Sequence, residues 1–261
     1  MSRVSGIDEA GRGSVLGPLL VVGVTLDQEY VDKLVNRGLK DSKLFSGSSG
    51  RKKRTELALE IQKLASELEV KEIPAKEIDL TLQNRPQDNL NFLEIRNMAK
   101  IICSLSSEEI TIDSISKPQY LIKHLTRYLK RLESSIIINI GLMESKTGNL
   151  IIKQPNGSIK RIIVSEKADR IFPIVSAASC VAKYIRDKRL REIENIWGLP
   201  PLTLGTGYPH AKDYSLMNFL QSYQNDIQNH RFPFIRYSWA WSPLQKIIKS
   251  SLRPLKNYFN E

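Results

Sequence analysis

The alternation of apolar and polar positions along the chain predicts a series of β-strands. Short runs rich in β-branched residues, including three valines between positions 21 and 24, are typical of strands. These runs cover residues 3–8, 18–27, 69–73 and 109–115. Residues 134–164 contain two more β-type runs around the Asn-Gly turn at 156–157. The first two runs, joined by a glycine turn, predict a hairpin-like start to a sheet.

Between the strands, apolar residues recur at helical spacing. In one segment Leu121, Leu125 and Leu129 fall on a single face. Similar patterns predict helices over residues 28–37, 51–69, 89–105, 117–132 and 172–196. Residues after 209 also read as mainly helical. The sequence therefore predicts an α/β fold, with a main domain over residues 1–204 and a mainly helical C-terminal region over residues 205–261.

Charge narrows the class of partner. The 261 residues include 39 Lys and Arg against 28 Asp and Glu, which gives a net charge of +11 and favours a polyanion. Nucleic acid is the first candidate and an acidic membrane surface the second. No apolar run approaches the ~18 residues that span a bilayer, and the N-terminus lacks a signal-peptide core. We therefore expect a cytoplasmic protein with no membrane association. We also expect it to act as a monomer. The two cysteines and three histidines suggest neither a disulfide framework nor a zinc site.

Acidic residues at predicted strand ends are the main candidates for chemistry. Asp8 and Asp113 each close a strand, so their carboxylates can meet at one edge of the sheet and bind a divalent cation. Glu9 joins them only if the chain turns at that residue, because a continuing strand would point it away. Asp169 is either a further ligand or a charge that complements the start of the helix near Pro173.

The glycine turn after these acids has several interpretations. Gly11, Gly13 and Gly17 resemble a dinucleotide fingerprint, but the spacing is one residue too long and a strand follows instead of a helix. Backbone N–H groups of such a turn bind phosphate or hydroxyl oxygens, as a metal-dependent reaction on a phosphate backbone requires. An ordinary acidic turn is the alternative. No P-loop and no nucleophile elbow is found in the sequence.

Four spaced motifs make a specific resemblance. They are Gly6 to Gly13, Lys167-Ala168-Asp169, Ser176 to Lys183, and Gly205-Thr206-Gly207-Tyr208-Pro209. In this order they resemble type 2 ribonuclease H, or ribonuclease HII, and residues 234–239 are similar to its archaeal and eukaryotic branches. The resemblance implies an RNase H-like mixed five-stranded sheet, flanked by helices and followed by a C-terminal helical appendage.

The same resemblance implies a function and a set of residues. It implies an endoribonuclease that cuts RNA–DNA hybrids and single ribonucleotides in duplex DNA, with two Mg²⁺ or Mn²⁺ ions about 3.5–4 Å apart. The implied metal-binding and catalytic residues are Asp8, Glu9, Asp113 and Asp169. Gly11, Arg12 and Gly13 are implied to recognise the ribose 2′-hydroxyl, assisted by Tyr208. An inactive nucleic-acid-binding protein and a DNA-cutting recombinase of similar fold are the alternatives.

Other residues are interpreted from their charge or from departures from the family pattern. Lys43, Lys183 and Arg186 either hold phosphates or belong to a solvated helix face, with Asp187 as a possible ion-pair partner. Ser14 replaces the usual proline, the acid near Tyr208 is displaced to Asp213, and residues 134–160 are longer than usual. Residues 252–259 resemble a sliding-clamp binding box without its glutamine. Packing of that tail onto the protein itself is the alternative.

Overall fold

The computed structural model describes residues 2–39, 47–84, 88–209 and 214–250. Its centre is a mixed sheet of seven strands in the order β3-β2-β1-β4-β7-β6-β5. The strands are β1 (Arg3–Ala10), β2 (Leu19–Asp27), β3 (Glu67–Ile73), β4 (Glu109–Asp113), β5 (Ile137–Met143), β6 (Thr147–Lys153) and β7 (Ile159–Ser165). The neighbours β1, β4 and β7 run parallel, and the other pairs are antiparallel. The carboxyl ends of β1, β4 and β7 therefore lie at the same edge of the sheet.

Helices cover both faces of this sheet. They are α1 (Gln28–Asn36), α2 (Gly47–Leu64), α3 (Ala75–Gln83), α4 (Leu90–Ser104), α5 (Pro118–Leu132), α6 (Ala168–Ile171), α7 (Pro173–Ile196), α8 (Tyr214–Ser222), α9 (Gln224–Gln228) and α10 (Ser242–Ser250). Helices α4 and α5 share one apolar core with the sheet, and α1, α2 and α7 share another. None of the described helices is both long and apolar enough to cross a membrane.

The predicted strand count of five is wrong, because the segment around residues 134–164 contributes three strands, one more than the two β-type runs seen in its sequence. Leu150 and Ile152 are buried, whereas Ile151 and Lys153, which alternate with them, are exposed. This alternation lets β6 pack against α5 while it pairs with β7, and β5 then extends the sheet by one more strand. The confirmed RNase H-like α/β arrangement is thus enlarged at the β7 side.

Helix α7 approaches β1 unusually closely. A Cβ atom added at Gly6 would lie 2.3 Å from the carbonyl oxygen of Ile174, so only glycine fits there. The small residues from Ser176 to Cys180 are buried against the sheet, as close backbone packing requires. This contact fixes the part of α7 that lies beside the carboxyl end of β1.

The C-terminal region has its own apolar cluster, centred on Phe219, Phe232 and Phe234. The cluster also includes Val15 and Leu16 from the loop after β1. The C-terminal region therefore packs directly against the loop that follows the acidic strand end. The domain boundary at residue 204 remains a prediction.

Candidate active site

Three acids converge at the carboxyl ends of β1 and β4. One carboxylate oxygen from each of Asp8, Glu9 and Asp113 lies within 4.8 Å of the others. Asp8 and Asp113 meet because β1 and β4 are adjacent and parallel, as their positions at strand ends predicted. Asp8 is only 5% exposed, and Glu9 and Asp113 are half-buried. The arrangement is a compact set of hard oxygen ligands, the kind that Mg²⁺ and Mn²⁺ prefer.

Glu9 reaches this group by a different route from the predicted one. Strand β1 continues through Ala10, so the chain does not turn at Glu9. Its side chain instead lies near Glu94 of α4, whose charge acts on it. The longer glutamate side chain still brings one oxygen to the cluster. The expectation that Glu9 needs a turn in the chain is therefore wrong.

Asp169 lies beside this group, in the short helix α6. Within the described ranges the compact group of acids does not include Asp169, but after burial and Asp8 its charge also raises the pKa of Asp113. Lys167, which precedes α6, adopts a left-handed conformation with φ of 57°. The next amide, that of Ala168, donates a 2.5 Å hydrogen bond to Asp113 Oδ1. A metal-binding role for Asp169 remains a prediction.

Burial and mutual repulsion raise the pKa of every acid in the cluster. Burial, followed by the charge of Glu9, holds the pKa of Asp8 well above its usual range. Burial and the nearby Glu94 raise the pKa of Glu9 to about 7, and burial and Asp8 raise that of Asp113 to about 7. Carboxylates in such surroundings are stabilised by a cation that offsets their repulsion.

Two polar residues of α7 lie next to Asp8. Ser179 donates a hydrogen bond to the Asp8 carboxylate and Lys183 places its positive charge nearby, and both effects lower the pKa of Asp8. The Lys183 ammonium also donates to Ser179 Oγ at 2.7 Å. Although Lys183 is exposed, it is fixed at the edge of the acidic cluster. The close approach of α7 at Gly6 is what brings these two side chains into reach.

The glycine turn leads from the acids to Tyr208. Gly11 has φ of +93°, and a Cβ atom there would lie 2.6 Å from the carbonyl oxygen of Pro18, so this position requires glycine. The Gly11 amide donates a 2.9 Å hydrogen bond to the Tyr208 hydroxyl. The Tyr208 ring also lies 3.6 Å from the point that a Cβ atom added at Gly13 would occupy. The structure therefore places the predicted ribose-reading residues in one surface region.

Two buried arginines support this turn from inside. Arg236 is fully buried and donates to the carbonyl oxygens of Arg12 at 3.0 Å and Gly17 at 3.1 Å. Arg186 is 2% exposed, lies 4.6 Å from the Tyr208 ring centroid and donates to the Thr206 carbonyl at 2.6 Å. Its side chain therefore lies behind the turn, whereas a phosphate-binding residue would face solvent.

Ser14 connects the same elements. Its buried hydroxyl accepts a 2.7 Å hydrogen bond from Arg186 Nη2 and lies 2.9 Å from the Gly207 carbonyl oxygen. The Ser14 amide donates to the Gly11 carbonyl at 3.2 Å, a bond that proline could not make. The departure from the family's proline thus supplies a polar contact between the turn and the Tyr208 loop.

Sequence reasoning missed Glu94, Asn91 and Arg236. Glu94 forms an ion pair with Arg12, and Asn91 Oδ1 accepts a 2.5 Å hydrogen bond from the same guanidinium. A signal for Glu94 existed, because it shares the buried face of α4 with Leu90 and Ile101, where a charge needs a partner. Arg236 carried no such signal, because its partners lie more than 200 positions earlier in the chain.

Some predicted residues fall outside the described ranges. They are Lys43, Asp213 and the tail of residues 252–259.

Comparisons with known proteins identify relatives of similar sequence and fold. The sequence model of the family described as Ribonuclease HII matches residues 5–241. A ribonuclease HII from Methanosphaera stadtmanae is 34% identical over 252 residues, which are 96% of this chain and 97% of the relative. Ribonuclease H2 from Pyrococcus horikoshii shares the fold, with a TM-score of 0.67 at 23% identity over 97% of this chain and 100% of that one. The PCNA:RNase HII complex from Archaeoglobus fulgidus has a TM-score of 0.65 at 29% identity, with coverage of 91% and 95%.

Proposed function

Because this chain belongs to the ribonuclease HII family of metal-dependent endonucleases, we propose that it also incises duplex DNA on the 5′ side of a single embedded ribonucleotide. Enzymes of this family cleave RNA in RNA–DNA hybrids. The products of both reactions would carry a 5′-phosphate and a 3′-hydroxyl. The observation that carries the proposal is the group of three acids directly beside a glycine turn.

The acidic cluster fits divalent metal ions. The active complex would hold two such ions, Mg²⁺ or Mn²⁺. The donors of the cluster are carboxylate oxygens, and Glu9 Oε2 is buried without a hydrogen-bond partner among the described residues. Asp8 and Asp113 would be the central ligands, with Glu9 and Asp169 completing the set. Bound ions would supply Lewis-acid activation of water and neutralise charge on the leaving oxygen.

The glycine turn would select the ribose. Arg236 draws the Arg12 carbonyl inward, and the planar trans peptide then directs the Gly13 N–H to the opposite side. An outward N–H suits a 2′-hydroxyl, the group that distinguishes RNA from DNA. Tyr208, fixed against Gly11, would form one wall of this sugar site. These residues set substrate choice, whereas the acids carry the bond-breaking step.

The basic residues near the site would take two different roles. Lys183 is exposed beside Asp8 and would hold a phosphate oxygen. Arg186 would act as a positioning residue, because its guanidinium is buried between Ser14, Thr206 and Tyr208. A phosphate-binding role for Lys43 rests on its charge alone.

One assay tests the proposed function. A labelled duplex with a single internal ribonucleotide is incubated with the protein and Mg²⁺ or Mn²⁺, beside an all-DNA twin and an EDTA control. Cleavage of the first duplex alone, on the 5′ side of the ribonucleotide and only with metal, supports the proposal. Equal cutting of both duplexes indicates a DNA nuclease instead. Binding without cleavage of any RNA-containing duplex indicates an inactive nucleic-acid-binding protein.

We also propose a sliding clamp as a partner. Leu255, Tyr258 and Phe259 have the spacing to fill a hydrophobic clamp pocket as one helical turn. The related Archaeoglobus protein was solved in complex with PCNA. The test is calorimetry of a clamp against the full chain and against a variant lacking residues 252–261. Heat seen only with the full chain supports the partner, and identical or absent heats for two folded proteins contradict it.

A further inference from the structure

Four of the exposed residues of α5 are basic and none is acidic. Lys123, Arg127, Lys130 and Arg131 are all exposed, and we call these four residues the basic face of α5. Lys123, Arg127 and Arg131 recur at intervals of four positions, and Lys130 lies three positions after Arg127, so they line one side of the helix. The sequence of α5, Pro118–Leu132, contains no acidic residue. A cationic surface without interspersed acids attracts polyanions.

Within the described ranges these cations have no acidic partner, unlike several basic residues on and beside α1 and on α7. On α1, Lys33 pairs with Glu29, and Arg37 just beyond it pairs with Glu60. On α7, Arg189 pairs with both Glu72 and Glu192, at 2.8 and 2.6 Å. Among the described residues, no acid lies within ion-pairing distance of any member of the basic face. A favourable charge at the helix end accounts for Lys130 and Arg131 but not for mid-helix Lys123 and Arg127.

The basic face extends away from the acidic cluster. Helix α5 follows β4 directly, and its first residue, Pro118, is five positions after Asp113. Helix α4 begins at the same edge, where Asn91 contacts Arg12. The two helices also end together, since Cys103 of α4 and Leu129 of α5 line one small cavity. A helix of fifteen residues spans about 22 Å, roughly the axial rise of six base pairs of a duplex.

Aromatic rings connect this face with the ribose-reading turn. Phe92 of α4 lies 4.7 Å from the ring of His124 of α5, and Tyr120 lies 4.4 Å from the same ring. All three side chains are half-buried. Phe92 follows Asn91, which contacts Arg12, and His124 follows Lys123, the first cation of the basic face. The ring contacts therefore link the residues that hold the turn with the start of the basic face.

We propose that the basic face of α5 binds the phosphate backbone of the substrate duplex several base pairs away from the scissile bond. The inference rests on the proposed function for the identity of the duplex. It assigns the face a role in affinity and leaves the chemical step to the acidic cluster. The four cations would neutralise up to about four phosphates. They would therefore contribute roughly 3.6 to the slope of log affinity against log salt concentration.

The test compares two variants with the same loss of charge. Lys123→Gln with Arg127→Gln removes half of the basic face, and Lys33→Gln with Arg37→Gln removes two paired cations in and just beyond α1 as the control. Binding of a hybrid duplex is measured by fluorescence anisotropy in EDTA from 50 to 300 mM salt. The first variant should lower the salt slope by about 1.8 and raise Kd roughly tenfold at 100 mM salt. The control should match the wild type.

A second measurement separates a local contact from a general effect of charge. In this measurement the duplex is shortened on one side of the cleavage site and then on the other. The wild type should bind more weakly when one particular side is shortened. The affinity of the α5 variant should not change when that same side is shortened. Single-turnover cleavage at saturating protein should be unchanged, because the face lies outside the site.

Equal slopes for both variants would overturn the proposal while wild-type cleavage still supports the proposed function. Absence of wild-type cleavage would instead contradict the proposed function. A variant that loses binding only to phosphatidylglycerol vesicles would assign the face to a membrane surface and overturn the proposal.

Discussion

Replacing Glu9 by glutamine should stabilise the metal-free protein at high pH while it removes activity. Burial and Glu94 raise the pKa of Glu9 from 4.5 to about 7. A folded-state pKa above the unfolded one means that stability is lost as pH rises from about 4.5 through about 7. The rise of about 2.5 units corresponds to about 3 kcal/mol at pH 8, at 1.36 kcal/mol per unit. Glutamine removes this cost.

Some of the gain is offset by burial of the new amide. Its N–H groups find acceptors in the Asp8 and Asp113 carboxylates, so we expect a net gain of about 2 kcal/mol, or roughly 4–8 °C in Tm. Calorimetric unfolding in EDTA at pH 8 and pH 5 measures it, with Glu56→Gln on the exposed side of α2 as the matched control. The gain should appear at pH 8 and vanish at pH 5. An unchanged or lower Tm for Glu9→Gln at pH 8 would refute the electrostatic reasoning.

Three further predictions concern the turn and the metal site. Tyr208→Ala should slow cleavage at a single embedded ribonucleotide without changing Mn²⁺ affinity, and a wild-type rate would make Tyr208 only a packing residue. Ser14→Ala should destabilise the protein by about 1–3 kcal/mol in denaturant unfolding, because Arg186 and the Gly207 carbonyl lose a buried partner. Mg²⁺ affinity measured by calorimetry should rise from pH 6 to pH 8, because protons compete for acids whose pKa is about 7, such as Asp113; a flat profile would contradict this.

Much of the fold follows from local patterns, and the exceptions have physical reasons. Strands β1, β2 and β4 were predictable because β-branched residues are concentrated in short runs. Strand β6 was not predicted, because its first half contains Gly148 and Asn149, which have low β-propensity. Helix α3 was not predicted, because it is short and its start has no side-chain cap. The count of five strands came from resemblance, which does not register an extension specific to this chain.

The site residues also divide into those that the sequence predicts and those whose role only the folded structure shows. Asp8 and Asp113 could be paired from sequence because both close strands, and parallel pairing then brings strand ends together. Arg236 could not be predicted, because its importance arises from packing of the C-terminal region on the loop after β1. Arg186 was identified as basic, but only its tertiary surroundings show that it is buried.

The most direct test of the central claim is to measure binding and cleavage together for Asp8→Asn. This change keeps the size of the side chain but removes the charge that attracts metal, while phosphate contacts elsewhere are untouched. Anisotropy gives hybrid affinity, and single-turnover assays with Mg²⁺ give the cleavage rate on the same duplex. We expect affinity within about threefold of the wild type and at least a thousandfold slower cleavage, since the bound metal supplies much of the catalysis. Equal losses of binding and cleavage in a folded variant, or cleavage at the wild-type rate, would contradict the account.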